Sequence, residues 1–192
     1  MSPRDPLQAW TRLASTRQSA NPYWSAYLDR VRLPDGNEHD YHYVRTPGSV
    51  LIVPVARSVP GAEPRLLMVR QYRYLLGDVV LEFPGGGIKP GQEPLAAAQA
   101  ELAEETGYRA AHWRSLGWFN PCKGLLAERC HVYLAEELAR DTGGTHTADA
   151  TEEIALAWQS SAALDTLIRR GEVYDGMTLC AWSLARTACG CE

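Results

Sequence analysis

The chain has 192 residues, 45% hydrophobic and 22% charged, with a formal net charge of -4; these fractions fit one well-packed globular domain with an N-terminal extension. An acidic chain lacks the basic stripe that a general nucleic-acid binder needs to neutralise phosphates, so no nucleic-acid partner is expected. No apolar run is long enough to span a bilayer, and the opening MSPRDPLQAW lacks the hydrophobic core of a secretory leader, so no membrane partner and a cytoplasmic location are expected.

Residues 6–18 read as a short helix with Leu7, Trp10 and Leu13 at helical spacing, ended by Asn21-Pro22. Residues 23–33 and 39–45 read as two strands of a hairpin across Pro34-Asp35-Gly36. Their aromatics, Trp24, Tyr27, Tyr41 and Tyr43, could stack on a nucleobase, but aromatic residues on strands more often fill a core or a dimer interface. The runs SVLIVPV (49–55) and RLLMVRQ (65–71) have the composition of buried strands, separated by a proline-flanked loop.

A third apolar run, 78–83, is broken by Pro84 and by Gly85, Gly86 and Gly87, which predict a loop. A helix follows over 94–106: Pro94 suits a first turn, Ala and Leu fill the next turns, and Gly107 stands where a helix stops. Further strands are expected at 113–119, 130–134 and 155–158, with a polar, glycine-bearing loop DTGGTHTADAT over 141–151. The chain closes on a helix at 161–170, with Leu164, Leu167 and Ile168 on one face and Gly171 behind it, and a last helix at 179–187. The five cysteines, Cys122, Cys130, Cys180, Cys189 and Cys191, show no CxxC spacing, so reduced thiols are expected and the last two are tail residues without an assigned role.

The chemistry concentrates on the helix at 94–106. Glu101, Glu104 and Glu105 stand at i, i+3 and i+4 and share one face, opposite a core-seeking stripe of Leu95, Ala98 and Leu102. Most glutamate-rich helix faces are simply solvated. Three like charges beside a glycine loop can also be relieved by a hard divalent cation with oxygen ligands, and Mg²⁺ with waters and phosphate is the natural choice.

The whole stretch LEFPGGGIKPGQEPLAAAQAELAEETGY resembles the Nudix box, the signature of hydrolases that cleave nucleoside diphosphates linked to another moiety. That box runs glycine, five residues, Glu, seven residues, Arg-Glu, an aliphatic residue, one residue, Glu-Glu, one residue, Gly and an apolar residue. Gly86, Glu101, Leu102, Glu104, Glu105, Gly107 and Tyr108 fall on it, whereas Gln92 stands in place of its first Glu and Ala100 in place of its Arg. In the family those two residues are close enough to pair, and a pair lost together leaves no orphan charge.

Arg70-Gln71-Tyr72-Arg73 followed by Leu81-Glu82-Phe83-Pro84 resembles the ADP-ribose pyrophosphatase branch. The resemblance implies an α/β/α sandwich with a mixed sheet over 48–188, an N-terminal extension over 1–47 that serves a homodimer, and a tail at 189–192. It further implies that Glu101, Glu104, Glu105 and the Gly85 carbonyl hold Mg²⁺ (Mn²⁺ being a substitute), with Glu104 and Glu105 also counted as catalytic. Arg73 would contact the diphosphate, with Glu82 and Glu128 as further substrate contacts, and Glu152 would activate the attacking water, Glu153 being its fallback. The activity implied is hydrolysis of ADP-ribose to AMP and ribose 5-phosphate. GDP-mannose or another dinucleotide-type diphosphate is the alternative substrate, and a weakly catalytic sensor module that binds a nucleotide sugar is the alternative function. The chain's two lysines, Lys89 and Lys123, could reach phosphate but read as surface residues.

Overall fold

The computed structural model describes residues 9–57, 63–142 and 153–189. These divide into two compact units, Met1–Pro47 with Cys122–Glu128 and Gly48–Pro121 with Arg129–Glu192.

The first unit is a four-stranded sheet in the order β1 (Thr11–Ala20), β2 (Ser25–Arg32), β3 (Glu38–Arg45) and β9 (Leu126–Ala127). The hairpin of β2 and β3 forms as expected, its turn closed by the Leu33 N–H on the Asn37 carbonyl (2.8 Å) and by Gly36 at φ 88. The helix expected at 6–18 does not form over its described part. Residues 11–20 are instead a strand paired antiparallel to β2 throughout, with register shifts between Arg12 and Ala14 and between Arg17 and Ser19. The Leu7, Trp10 and Leu13 spacing misled because helical propensity is a weak prior, and an available strand edge satisfies the backbone equally well. Trp10 and Leu13 are exposed, and Trp10 meets Tyr41 edge-on at 6.0 Å. Tyr27 and Tyr43 stack on each other (5.4 Å, 15°) beneath the Arg45 guanidinium.

The second unit is built on a mixed sheet ordered β11 (Ile154–Ser160), β5 (Arg65–Arg73), β4 (Ser49–Ala56), β10 (Cys130–Arg140) and β8 (Tyr108–Phe119). Strand β6 (Asp78–Glu82) pairs with β5, and β7 (Gly85–Gly87) with β4. β4 and β10 are parallel, and the neighbouring pairs are antiparallel. β8 and β10 both exceed the expected lengths, because the chain re-enters the sheet directly after Gly107 and the two strands pair along almost their whole length.

Helices cover both faces, giving the α/β/α sandwich of a Nudix-type α/β fold. The alternation along β4 shows the layering: Val50 and Ile52 pack with Ala97, Ala98 and Leu102 of α1 (Pro94–Thr106), while Leu51 and Val53 pack with Leu164 of α2 (Ser161–Arg169) and with Ala181 and Trp182 of α3 (Gly176–Ala185). α1 has the expected bounds and ends on Gly107 at φ 69, whose N–H reaches the Ala103 carbonyl (3.0 Å). Leu95, expected in the core stripe, is 38% exposed, whereas Ala97 is buried in its place. α3 starts earlier than expected because Asp175 caps it, accepting from the Thr178 N–H at 2.8 Å. Cys122, Cys130, Cys180 and Cys189 are free thiols. No helix among the described residues is long and apolar enough to cross a membrane.

Leu102 is fully buried between α1 and β4. Leu102→Ala is expected to destabilise the chain by about 2–5 kcal/mol through lost transfer energy and a residual cavity. Urea unfolding should report this as a lower midpoint at unchanged slope.

Candidate active site

The site grows from the point where β6 ends and β4 accepts three glycines as a strand. Sequence reading expected a loop at Gly85, Gly86 and Gly87; they form β7, antiparallel to Leu51, Val50 and Ser49 respectively. Absent side chains make this approach possible. A Cβ on Gly85 would lie 2.2 Å from the Val50 carbonyl oxygen, and one on Gly86 would lie 2.5 Å from both Cδ and Oε1 of Glu101. The Glu101 carboxylate is therefore seated directly against Gly86. Glu105, one turn further along α1, accepts the Gly85 N–H on Oε2 at 2.9 Å.

Both glutamates thus address the same short strand from one helix, as their i, i+4 spacing requires. Glu104 stands on the exposed part of that face. Among the described residues, no three His, Cys, Asp or Glu side chains are drawn together as a ready metal cage. Mg²⁺ does not require one, since it is commonly held by one or two carboxylates with waters and substrate phosphates. An all-oxygen set of Glu101, Glu105 and the Gly85 carbonyl, beside a backbone that leaves no room for a Cβ, fits such an ion.

β7 and Glu105 line an open cleft of about 650 Å³ together with Arg73, Glu82 and Asp175. Arg73 and Glu82 come from the two strands of the β5–β6 hairpin, and their side chains meet in a fork. The Arg73 Nε donates to Oε1 (2.9 Å) and Oε2 (3.2 Å), and Nη2 lies 2.7 Å from Oε1. The pair is lopsided: the Glu82 side chain is 7% exposed and that of Arg73 43%. Burial pushes the Glu82 carboxyl above the ordinary carboxylate range, Arg73 pulls it back down, and the negative field of Asp175 adds to the upward push. The guanidinium is thereby held in orientation, and among the described residues no hydrogen bond engages its Nη1.

The departures from the box have a local account at one of the two positions. Gln92 Oε1 accepts the Lys89 N–H (3.0 Å) and the Gln92 N–H donates back to the Lys89 carbonyl (2.9 Å), so this residue closes the loop on itself without an ion pair. Ala100 is half-buried on α1, and seating of Glu101 against Gly86 supplies orientation by packing.

The remaining expected site residues are not gathered here. Glu128 belongs to the first unit, where it accepts from the Thr46 hydroxyl at 2.9 Å. Glu152 lies outside the described residues, and Glu153 is exposed, one residue ahead of β11. Sequence reading missed Asp175, Met177 and the Tyr74-Leu75-Leu76 tip of the β5–β6 hairpin, all of which line the cleft. Only Asp175 carried a signal, an N-cap residue ahead of a helix.

Comparison with known proteins agrees with this geometry. The NUDIX domain family matches residues 45–177. The chain is 36% identical over 113 residues to an ADP-ribose pyrophosphatase of Bacillus subtilis (strain 168), covering 59% of this chain and 58% of that protein. It is 32% identical over 141 residues to a CMP-5'-(N-acetyl-N-hydroxy-3-aminopropyl)phosphonate hydrolase of Streptomyces rubellomurinus (strain ATCC 31215), covering 73% of this chain and 65% of that one. The chain thus spans less than two thirds of the length of these two relatives. A crystal structure of an ADP compounds hydrolase superposes with a TM-score of 0.79 at 20% identity, covering 96% of both chains, and so shares the fold. With a family match over most of its length and the glutamates of the box seated on its glycine strand, the chain belongs to the Nudix family.

Proposed function

We propose that this chain is a divalent-metal-dependent pyrophosphatase that hydrolyses the diphosphate bond of a nucleoside diphosphate sugar, with ADP-ribose, giving AMP and ribose 5-phosphate, as the preferred substrate. The observation that carries the reading is the convergence of Glu105, the Gly85–Gly87 strand backed by Glu101, and Arg73 on one cleft. Carboxylates for a cation and a guanidinium for a phosphate at one cleft are what a diphosphate ester requires. The similarity to an ADP-ribose pyrophosphatase supports the choice of substrate.

Glu101, Glu105 and the Gly85 carbonyl, with Glu104 at the exposed side, would hold Mg²⁺. When bound, that ion would neutralise diphosphate charge and lower the pKa of a water. Arg73, fixed by Glu82, would grip the diphosphate and fix its direction in the cleft. Glu152 would orient or deprotonate the attacking water, which adds across the P–O–P bridge to leave two phosphomonoesters. A homodimer is the working assembly, and β1, which ends its sheet with all ten residues exposed, is a surface available to it.

Three measurements test this reading. Phosphomonoester release from ADP-ribose should require Mg²⁺ or Mn²⁺ and fall about a hundredfold or more in Glu105→Gln, whose amide oxygen can still accept the Gly85 N–H. Turnover in that variant equal to wild type would sink the metal role, and wild-type protein that binds a diphosphate but cleaves none would favour the sensor reading. Gly86→Ala should displace the flexible end of Glu101, lowering kcat about a hundredfold with little change in thermal midpoint; unaltered kcat would refute the seating argument.

The third measurement concerns Glu82. Its raised pKa means that the folded chain keeps a proton at pH values where the unfolded chain has released it. The associated stability is present below the ordinary glutamate pKa and is lost as pH rises through Glu82's own higher value. Stability of wild type relative to Glu82→Gln should therefore decline with rising pH across that window in denaturant titrations. A relative stability that climbs there would contradict the buried-carboxylate account.

A further inference from the structure

The described lining of the cleft carries more carboxylates than cations, and Asp175 lies within electrostatic reach of Glu82. Arg73 is the one cation among its described lining residues and already shares its charge with Glu82, while Asp175 brings a further carboxylate from the N-terminus of α3. A phosphate beside Asp175 would be repelled by two carboxylates. A neutral group rich in hydrogen-bond donors would not, because a carboxylate can only accept.

Asp175 is also rigidly placed. Its Oδ2 is committed to the Thr178 N–H at 2.8 Å, and its neighbour Tyr174 donates its hydroxyl to Asp78 Oδ2 on β6, also at 2.8 Å. These two bonds anchor the segment from both sides, so the carboxylate is held rather than swinging in solvent. Among the described residues no hydrogen bond engages Oδ1, which leaves an acceptor at the cleft wall. Met177 lines the cleft close by and offers an apolar surface. A sugar ring has this combination of demands: hydroxyl donors on its edge and C–H groups on its face.

We propose that Asp175 is a specificity-determining residue that accepts hydrogen bonds from the vicinal hydroxyls of the substrate's sugar, so that the cleft selects diphosphates esterified to a diol-bearing sugar. The inference rests on the proposed reading of the cleft as a diphosphate site and adds to it the group that lies beyond the phosphates. Acceptance of ribose hydroxyls by an acidic side chain is a common solution, since each carboxylate oxygen has two lone pairs for adjacent O–H donors. Asn in place of Asp keeps the helix cap, because its carbonyl can accept from Thr178, but can present an amide donor to the cleft.

The test compares ADP-ribose with the propyl ester of ADP, by calorimetric Kd in metal-free buffer and by turnover with Mg²⁺, for wild type and Asp175→Asn. Wild type is expected to bind ADP-ribose about tenfold more tightly than the propyl ester, the range for hydrogen bonds to a charged acceptor. Asp175→Asn should shrink that gap to about twofold or less at an unchanged melting temperature. No gap in wild type, a gap that survives the substitution, or binding of neither compound would overturn the proposal. Turnover separates the two readings: a gap closed by Asp175→Asn without cleavage by wild type would retain the sugar contact and remove the hydrolase.

Discussion

The site depends on a close approach of two backbones. β7 can lie against β4 only because Gly85 has no Cβ to meet the Val50 carbonyl, and α1 can lower Glu101 onto β7 only because Gly86 has none either. From this contact follow the positions of the two glutamates, the exposure of the Gly85–Gly87 backbone to the cleft, and the packing of Ala97, Ala98 and Leu102 on Val50 and Ile52. Packing and chemistry are therefore one constraint here. The small residues that allow α1 to close on the sheet also bring its acidic face to the glycines.

Around that contact the molecule uses buried charge sparingly. Glu82 is the carboxylate most removed from water at the cleft, and its guanidinium partner is only partly covered. Such a pair adds little to stability, because desolvation of the buried partner offsets the attraction. Its value is directional: a fork of Nε and Nη2 on one carboxylate leaves the arginine a single orientation toward the cleft. Asp175 follows the same logic with a backbone partner, since the cap that starts α3 also fixes a carboxylate at the wall.

The box departure at Gln92 also becomes intelligible as geometry. An ion pair across loop and helix is one way to hold a glutamate in place. A loop closed by an amide on its own backbone, with a carboxylate packed against a glycine, is another that leaves no charge to be partnered.

The amino-acid sequence by itself determined α1 and its bounds, the strands at 49–55 and 65–71, the hairpin around Gly36, the shared face of Glu101 and Glu105, and the family, because each rests on local chemistry: a proline at a first turn, a glycine in the left-handed region, a period of 2 or 3.6. Tertiary structure decided the rest. Residues 11–20 became a strand because β2 offered an edge, and Gly85–Gly87 became a strand because β4 did, both through hydrogen bonds between segments that local propensity does not encode. Glu128 fell in the first unit with Thr46, and Asp175 reached the cleft from about ninety positions beyond β7, for the same reason. Spacing along the chain reports which side chains share a face of one element; which faces meet is set by packing between elements distant in sequence.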